Sequence, residues 1–557
     1  MKLVIAALNA KYVHTSLSVR CLYTAVKGIC ECSFSEYTIN DSPDATAADL
    51  YEQGADAVAF SCYIWNIEKI LKISQLLKLA NPQVKIILGG YEVMYDAKNI
   101  LKNNPFVDII SIGEGEIVFK NLVSALSDGT PLSEVRGVAY RNGGGIILTE
   151  TEERCAELDS LPFVYDESIL EIKEKIIYYE SSRGCPYSCT YCISGQKGGV
   201  RFLSVERVKR ELKFFADHGV KLVKFVDRTF NANPKRAKEI FEFIIKNGGN
   251  TCYHMELAGD IIDDETIELL KTAPNGRMQF EIGVQTTNSD TMNSIQRRIS
   301  FEKIKRNVSK LLENGNIHIH LDLIAGLPYE NMQSFKKSFN DVIALRPHML
   351  QLGFLKMLKG SKIRADGDEH GYVYRPYPPY EVISNLYISY ADILELKRVE
   401  EALDRYYNSG SFRTAMDYLF GKYADRYLIF YDISGYIKTH FKKGTAFSAQ
   451  TLFDILYECF KDFGNEFSEA LKYDYLVSFR TSKRPYWFDR YDNSLTQKTY
   501  DMFKNEELKK IKFPCYYDVP AKEIMKHVHA ERFSYGIVLF DYKEKKTHDI
   551  TEYADMC

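Results

Sequence analysis

The sequence predicts an α/β chain in three parts: a doubly wound parallel sheet, a (β/α)6 partial barrel and a mostly helical C-terminal module. Three observations carry that reading. Short β-branched runs alternate with helical patterns over residues 3–125. The alternation resumes over 176–364 with six candidate strands, and after 364 it is lost.

The first candidate strands are 3–8, 55–60, 85–88 and 108–112, with an amphipathic helical pattern at 67–79 between the second and third. Doubly wound sheets bind ligands at the C-terminal ends of their strands. Ser61, Asn66, Gly89-Gly90 and Gly113-Glu114-Gly115-Glu116 fall at those ends. Two short strands around Asn142-Gly143-Gly144-Gly145 then form a hairpin signal. The second set of strands is expected at 176–181, 222–226, 251–257, 278–284, 317–324 and 350–355, with chemistry at the C-terminal mouth of the barrel. The remainder is rich in Tyr and Phe, with Arg375-Pro376-Tyr377-Pro378-Pro379-Tyr380 as a turn or linker. The expected domains are 1–130, a hairpin linker 131–175, the barrel 176–364 and a C-terminal domain 365–557.

The 557 residues are 45% hydrophobic and 26% charged, a globular composition that argues against long disorder. Lys+Arg 72 against Asp+Glu 75 leaves a net charge of −3. That balance excludes a whole-chain basic surface, so bulk nucleic-acid binding is not expected. No apolar run approaches the roughly 18 residues of a membrane span. The apolar start is too short for a signal-peptide core, and the expectation is a soluble cytoplasmic protein without membrane partners. Of twelve cysteines, nine (Cys21, Cys30, Cys32, Cys62, Cys155, Cys252, Cys459, Cys515 and Cys557) form no compact ligand set.

The other three stand in Arg183-Gly184-Cys185-Pro186-Tyr187-Ser188-Cys189-Thr190-Tyr191-Cys192, a Cys-x3-Cys-x2-Cys spacing directly after a predicted strand. Three thiolates so close wrap one 4Fe–4S cluster only on a tight loop, which Gly184 and Pro186 suit. One iron is then left open. A structural zinc site wants a fourth Cys or His nearby, and the next histidine is His218.

The motif, its place after the first barrel strand and Tyr191 before the third cysteine resemble the radical S-adenosylmethionine (SAM) superfamily. The resemblance extends along Phe225-Val226-Asp227-Arg228-Thr229-Phe230-Asn231, Glu281-Ile282-Gly283-Val284-Gln285-Thr286 and Asp322-Leu323-Ile324-Ala325-Gly326-Leu327-Pro328. It implies a radical SAM barrel in which Cys185, Cys189 and Cys192 hold the cluster. Tyr191, Asp227, Glu256, Glu281, Gln285 and Thr286 are then candidates for the SAM site. The family's Gly-Gly-Glu for the SAM amino group has no evident counterpart, and Asp227 sits where it is expected.

Taken together, Ser61, Asn66, Gly89, Gly90, Gly113, Glu114, Gly115 and Glu116 resemble the loops of the Rossmann-like cobalamin-binding domain that precedes the barrel in one radical SAM subclass. Asp-x-His-x-x-Gly, whose histidine ligates cobalt in the methionine-synthase type, is absent, and His14 lies in Tyr12-Val13-His14-Thr15-Ser16-Leu17 instead. That subclass typically lacks the motif too. The rival is a degenerate cobalamin fold kept as a lid or docking domain. Front domain, barrel and Tyr-rich tail resemble the subgroup with a C-terminal domain of unknown function.

His318, His320 and Asp322 alternate along one strand, so their side chains share a face. A polar barrel lining is expected there; a second metal site or proton relay is the sharper alternative. His527 and His529 read as surface histidines without an acidic partner. Arg480-Thr481-Ser482-Lys483-Arg484-Pro485-Tyr486-Trp487 reads as a solvated loop with a packed Trp, against a base-stacking alternative.

The resemblance implies an enzyme with a 4Fe–4S cluster, SAM and cobalamin that methylates an unactivated carbon of a small molecule or peptide. An external one-electron donor such as flavodoxin or ferredoxin would supply it. A non-methylating rearrangement, cyclisation or cleavage is the second enzyme reading. A non-catalytic iron–sulfur or corrinoid sensor is the alternative of another class.

Overall fold

The computed structural model describes residues 1–195, 199–480 and 484–554. The chain divides into two compact units, Met1–Ile393 and Leu394–Cys557.

The first unit opens with parallel strands β1 (Lys2–Asn9), β2 (Glu31–Thr38), β3 (Ala57–Ser61), β4 (Lys85–Gly89) and β5 (Ile109–Ser111) in the order β2-β1-β3-β4-β5. Leu3–Leu8 and the whole of β3 are buried, as a sheet covered on both faces requires. One face packs through Ile70, Ile73 and Leu77 of the helix Ile67–Ala80. The other packs through Val118, Leu122 and Val123 of the helix Gly115–Asp128. β2 had no expected strand: it is an edge strand whose polar sequence ECSFSEYT carries little apolar signal.

The hairpin β6 (Val138–Asn142) and β7 (Gly145–Leu148) turns through Gly143 and Gly144 at φ +55° and +95°. It is not a free connector. β6 pairs antiparallel with β5, so the hairpin completes a seven-stranded sheet and covers its edge.

β8 (Ile176–Tyr179), β11 (Leu222–Phe225), β12 (Cys252–Leu257), β13 (Met278–Gln285), β14 (His318–Ala325) and β15 (Met349–Phe354) form one parallel six-stranded sheet in sequence order, the expected partial barrel. Alternate side chains of β13 and β14 are fully buried under the helices. The intervening ones, Glu281, His318, His320 and Asp322 among them, line the other face. Between β8 and β11 lies a two-residue ladder of β9 (Ser182–Arg183) and β10 (Arg201–Phe202).

Residues 365–393, expected to open the C-terminal domain, belong to the first unit. β16 (Val373–Tyr374) pairs with β17 (Val382–Ser384), and the Val382 N–H donates to the Leu355 carbonyl at 2.9 Å. Tyr380, Val382, Met357 and Leu327 share one core.

The second unit is mostly helical, with one antiparallel sheet of β18 (Val528–Phe533), β19 (Gly536–Asp541) and β20 (Lys546–Asp549). His529 does have an acidic partner: strand alternation puts it on the face of buried Glu531, at 3.0 Å. Lys472 and Arg484 complete that carboxylate's shell at 2.9 and 2.7 Å. Trp487 packs as expected and donates to Asp454; residues 481–483 of that segment, like Cys557, lie outside the described residues. No described helix is long and apolar enough to cross a membrane.

Candidate active site

The cysteine loop leaves β9 at Gly184, whose φ is +105°. A Cβ there would stand 2.3 Å from the Gly199 carbonyl, so only glycine lets the two ends of the loop close. Further along, the Thr190 N–H donates to the Ile295 carbonyl, and the Thr190 carbonyl accepts from the Ile363 N–H at 2.9 Å. The loop is thus pinned to segments that follow β13 and β15, over the mouth of the barrel.

Each thiol meets a polar neighbour. Cys185 Sγ lies 3.4 Å from Thr229 Oγ1, Cys192 Sγ accepts from the Ser194 N–H at 3.4 Å, and Arg297 Nη1 lies 3.7 Å from Cys189 Sγ. Burial raises the Cys185 thiol's pKa, and the Thr229 hydroxyl opposes that rise. Among the described residues no three His, Cys, Asp or Glu side chains converge on a single metal ion. A cuboidal cluster instead takes one thiolate per iron, and this loop with its donors fits that demand. A cavity of about 560 Å³ opens beside it, with Cys189 and Cys192 in the wall.

The sequence reading missed Arg297. Its guanidinium also donates to the Tyr191 hydroxyl at 3.1 Å and to the Gly283 carbonyl, tying the cysteine loop to β13. No local pattern marks a partner 106 residues away.

The six SAM candidates separate. Tyr191 packs on the Leu355–Tyr380 core with its hydroxyl on Arg297. Gln285 sits at a bulge in β13 with φ +71°, an expensive conformation for a side-chain-bearing residue, and its Oε1 is buried without a partner. Glu256 and Glu281 are neighbours across β12 and β13. Burial lifts Glu256 to about 7, whereas the hydrogen bond from His254 and the Lys224 ammonium hold Glu281 at about 2. Asp322, with one oxygen unpartnered, is raised to about 8 by burial and by those two carboxylates.

Two candidates are otherwise engaged. Asp227 is fully buried and accepts from the Ser181 N–H, the Ser181 hydroxyl and the Ser182 hydroxyl at 2.7, 2.7 and 2.5 Å, so it fixes the end of β8. Thr286 is fully buried against Glu330 at 2.5 Å.

In the front domain, Ser61 Oγ hydrogen-bonds Ser18 Oγ at 2.8 Å. Asn66 spends its amide on the Leu8 and Ser61 carbonyls and its oxygen on the Tyr63 N–H, a structural role. Gly89 ends β4, and Gly90 has φ +112° with the Cys62 carbonyl 2.5 Å from where a Cβ would lie. Gly113 and Gly115 flank Glu114, whose carboxylate faces Arg183 at 3.3 Å and also pairs with Arg201; Glu116 meets Arg183 at 2.7 Å. These carboxylates engage the β9–β10 ladder. The same edge carries large aromatics that sequence reasoning did not single out. Trp65 stacks on Tyr63 at 4.4 Å yet is 48% exposed, and Tyr91 and Tyr95 are 45% and 39% exposed. Tyr91 lies within electrostatic reach of Arg228 and Glu180, and Tyr95 within reach of Cys192. Exposed aromatic rings at these strand ends suit a broad, largely uncharged ligand such as a corrin.

Three family models match in chain order: "B12 binding domain" over residues 3–123, "Radical SAM superfamily" over 179–342 and "Protein of unknown function (DUF4080)" over 368–553. The cobalamin-dependent radical SAM methyltransferase TokK of Streptomyces tokunonensis is 28% identical over 54% of this chain and 47% of its own length. An anaerobic magnesium-protoporphyrin IX monomethyl ester cyclase of Synechocystis is 30% identical over 44% of this chain and 51% of its own. The chain therefore spans about half the length of these curated relatives. The cobalamin-dependent SAM radical enzyme OxsB, solved with aqua-cobalamin and SAM bound, shares the fold with a TM-score of 0.62 at 13% identity, over 87% of this chain and 82% of that one. The chain combines a B12-binding domain, a radical SAM segment and a DUF4080 segment.

Proposed function

We propose that this B12-binding radical SAM protein is a cobalamin-dependent methyltransferase acting on an unactivated carbon of a small molecule or peptide. The observation that carries the reading is the three-cysteine loop pinned over the barrel mouth, with the front domain's aromatic-bearing strand ends meeting the segment after β15 through Glu92 and Lys359. Cys185, Cys189 and Cys192 would hold a 4Fe–4S cluster, which would supply the one-electron reduction for SAM cleavage. The edge formed by Ser61, Gly89, Gly90, Gly113 and the aromatics would hold cobalamin, which would supply methyl-transfer chemistry.

The protein's share is placement and the exclusion of water. Arg297 fixes the cysteine loop against β13. Tyr191, Gln285, Glu256, Glu281 and Asp322 present the polar groups that bind SAM and substrate, while Asp227 and Thr286 hold the backbone that carries them. An external one-electron donor of the flavodoxin or ferredoxin class completes the system.

The likeness to the cyclase supports a second reading, in which the same cofactors drive a non-methylating reaction. Turnover with methyl-labelled SAM separates the two. Label in the product supports methyl transfer; unlabelled product beside 5′-deoxyadenosine moves the protein to the second reading.

A further inference from the structure

The segment bearing the three cysteines is closed at its feet by the β9–β10 ladder, where Arg183 stands opposite Arg201. Like charges facing each other across an antiparallel pair repel, so this closure depends on what lies between them. Both guanidiniums are taken by the loop-to-helix turn at Glu114–Glu116 of the front domain. Glu116 reaches Arg183 at 2.7 Å, and Glu114 reaches Arg183 at 3.3 Å and accepts from Arg201 Nη1 at 3.1 Å. Glu180 adds a third carboxylate on Arg183 at 2.6 Å. The pairs are largely withdrawn from water: Arg183, Glu114 and Glu116 keep 19%, 16% and 13% side-chain exposure. Such pairs, unlike surface ones, are costly to break from one side.

We infer that Glu114 and Glu116 are positioning residues for the cysteine loop, so that the front domain, through Arg183 and Arg201, sets the closure that brings Cys185, Cys189 and Cys192 together. Gly113, on the proposed corrin edge, immediately precedes Glu114, so one stretch of backbone serves both cofactor sites. The assignment rests on the proposed cluster site for its purpose, but the latch itself is a property of the chain without cofactors.

The test measures alkylation of individual cysteines by iodoacetamide, read by peptide mass spectrometry, in the full-length apo-protein and its E114Q/E116Q variant. Cys62, buried in the front-domain core, is the internal control. The expected result is a rise of about tenfold or more in alkylation of Cys185, Cys189 and Cys192, with Cys62 unchanged, as local opening without global unfolding requires. Unchanged rates at the three cysteines overturn the inference. If Cys62 also reacts, the double variant has opened as a whole, and single E114Q and E116D are judged by the same criterion. After anaerobic reconstitution, the wild type and variants are compared by electron paramagnetic resonance and by the rate of iron loss to a chelator. A wild type without a cluster defeats the proposed function and leaves the alkylation result standing. A wild-type cluster with identical spectra and iron loss in the variants defeats the positioning role alone.

Discussion

Arg297 is the residue on which most of the site's geometry meets, because one guanidinium serves a cysteine thiol, the Tyr191 hydroxyl and the Gly283 carbonyl. A lysine keeps the charge but not the fork. R297K is expected to retain iron while forming 5′-deoxyadenosine at least about tenfold more slowly, consistent with lost positioning; wild-type rates would remove Arg297 from the site. The carboxylates below it give a second test. Between the ordinary carboxyl range and about pH 7 for Glu256, or about pH 8 for Asp322, the folded chain holds a proton that the unfolded chain has released. Stability of the apo-protein therefore falls as pH rises through that window, by at most about 1.4 kcal/mol per pH unit for each group. The combined E256Q/D322N variant should flatten the slope in denaturant titrations between pH 5 and 8; an unaltered slope contradicts these assignments. Glu281 acts oppositely, contributing stability above its ordinary range that is lost as pH falls toward 2. What the sequence made legible here was residue type at fixed spacing, as in the three cysteines and the alternation of His318, His320 and Asp322. It could not show which partner a carboxylate finds across the fold. Asp227 and Glu116 read from sequence as cofactor residues, and what the sequence does not show is that their carboxylates meet Ser181 and Arg183 in the fold.

At the scale of elements, the cysteine segment is a loop whose ends meet because Gly184 has no side chain. G184A forces a Cβ onto the Gly199 carbonyl in a positive-φ conformation. It is expected to lose the cluster while far-UV circular dichroism stays unchanged, since β8 and its neighbours do not depend on that turn. Gly129 is the control: its φ of +84° ends a helix, but nothing lies within 4 Å of an added Cβ. G129A should cost only about 1 kcal/mol and keep its iron. Equal iron retention by both variants would remove loop closure from the account. Ten strands were readable because strands buried on both faces, such as β1 and β3, are continuous apolar runs, and barrel strands such as β13 and β14 alternate apolar with polar residues. β2 escaped as a polar edge strand. The hairpin was readable as a hairpin, but its pairing with β5 was not, because pairing to a sheet edge leaves no local mark.

At the scale of the whole molecule, the proposed function needs one chain to bring a corrin-type domain and a radical barrel together. His14 Nδ1 lies 2.7 Å from the Tyr178 hydroxyl, and Lys359 reaches Glu92 at 2.9 Å, so the front domain also meets the barrel away from the Glu114–Arg183 contact. The near-neutral charge suits a small-molecule or peptide substrate. Residues beyond 393 form a unit with its own cores, and the sequence says least about what it does. The most direct test is anaerobic reconstitution with iron, sulfide and hydroxocobalamin, followed by metal and corrinoid analysis and by addition of reductant and SAM. The proposed function predicts a 4Fe–4S cluster and a retained corrinoid on the same chain, with 5′-deoxyadenosine formed and lost on replacing any of Cys185, Cys189 or Cys192 by alanine. A cluster without corrinoid, or both cofactors with no 5′-deoxyadenosine, would contradict it.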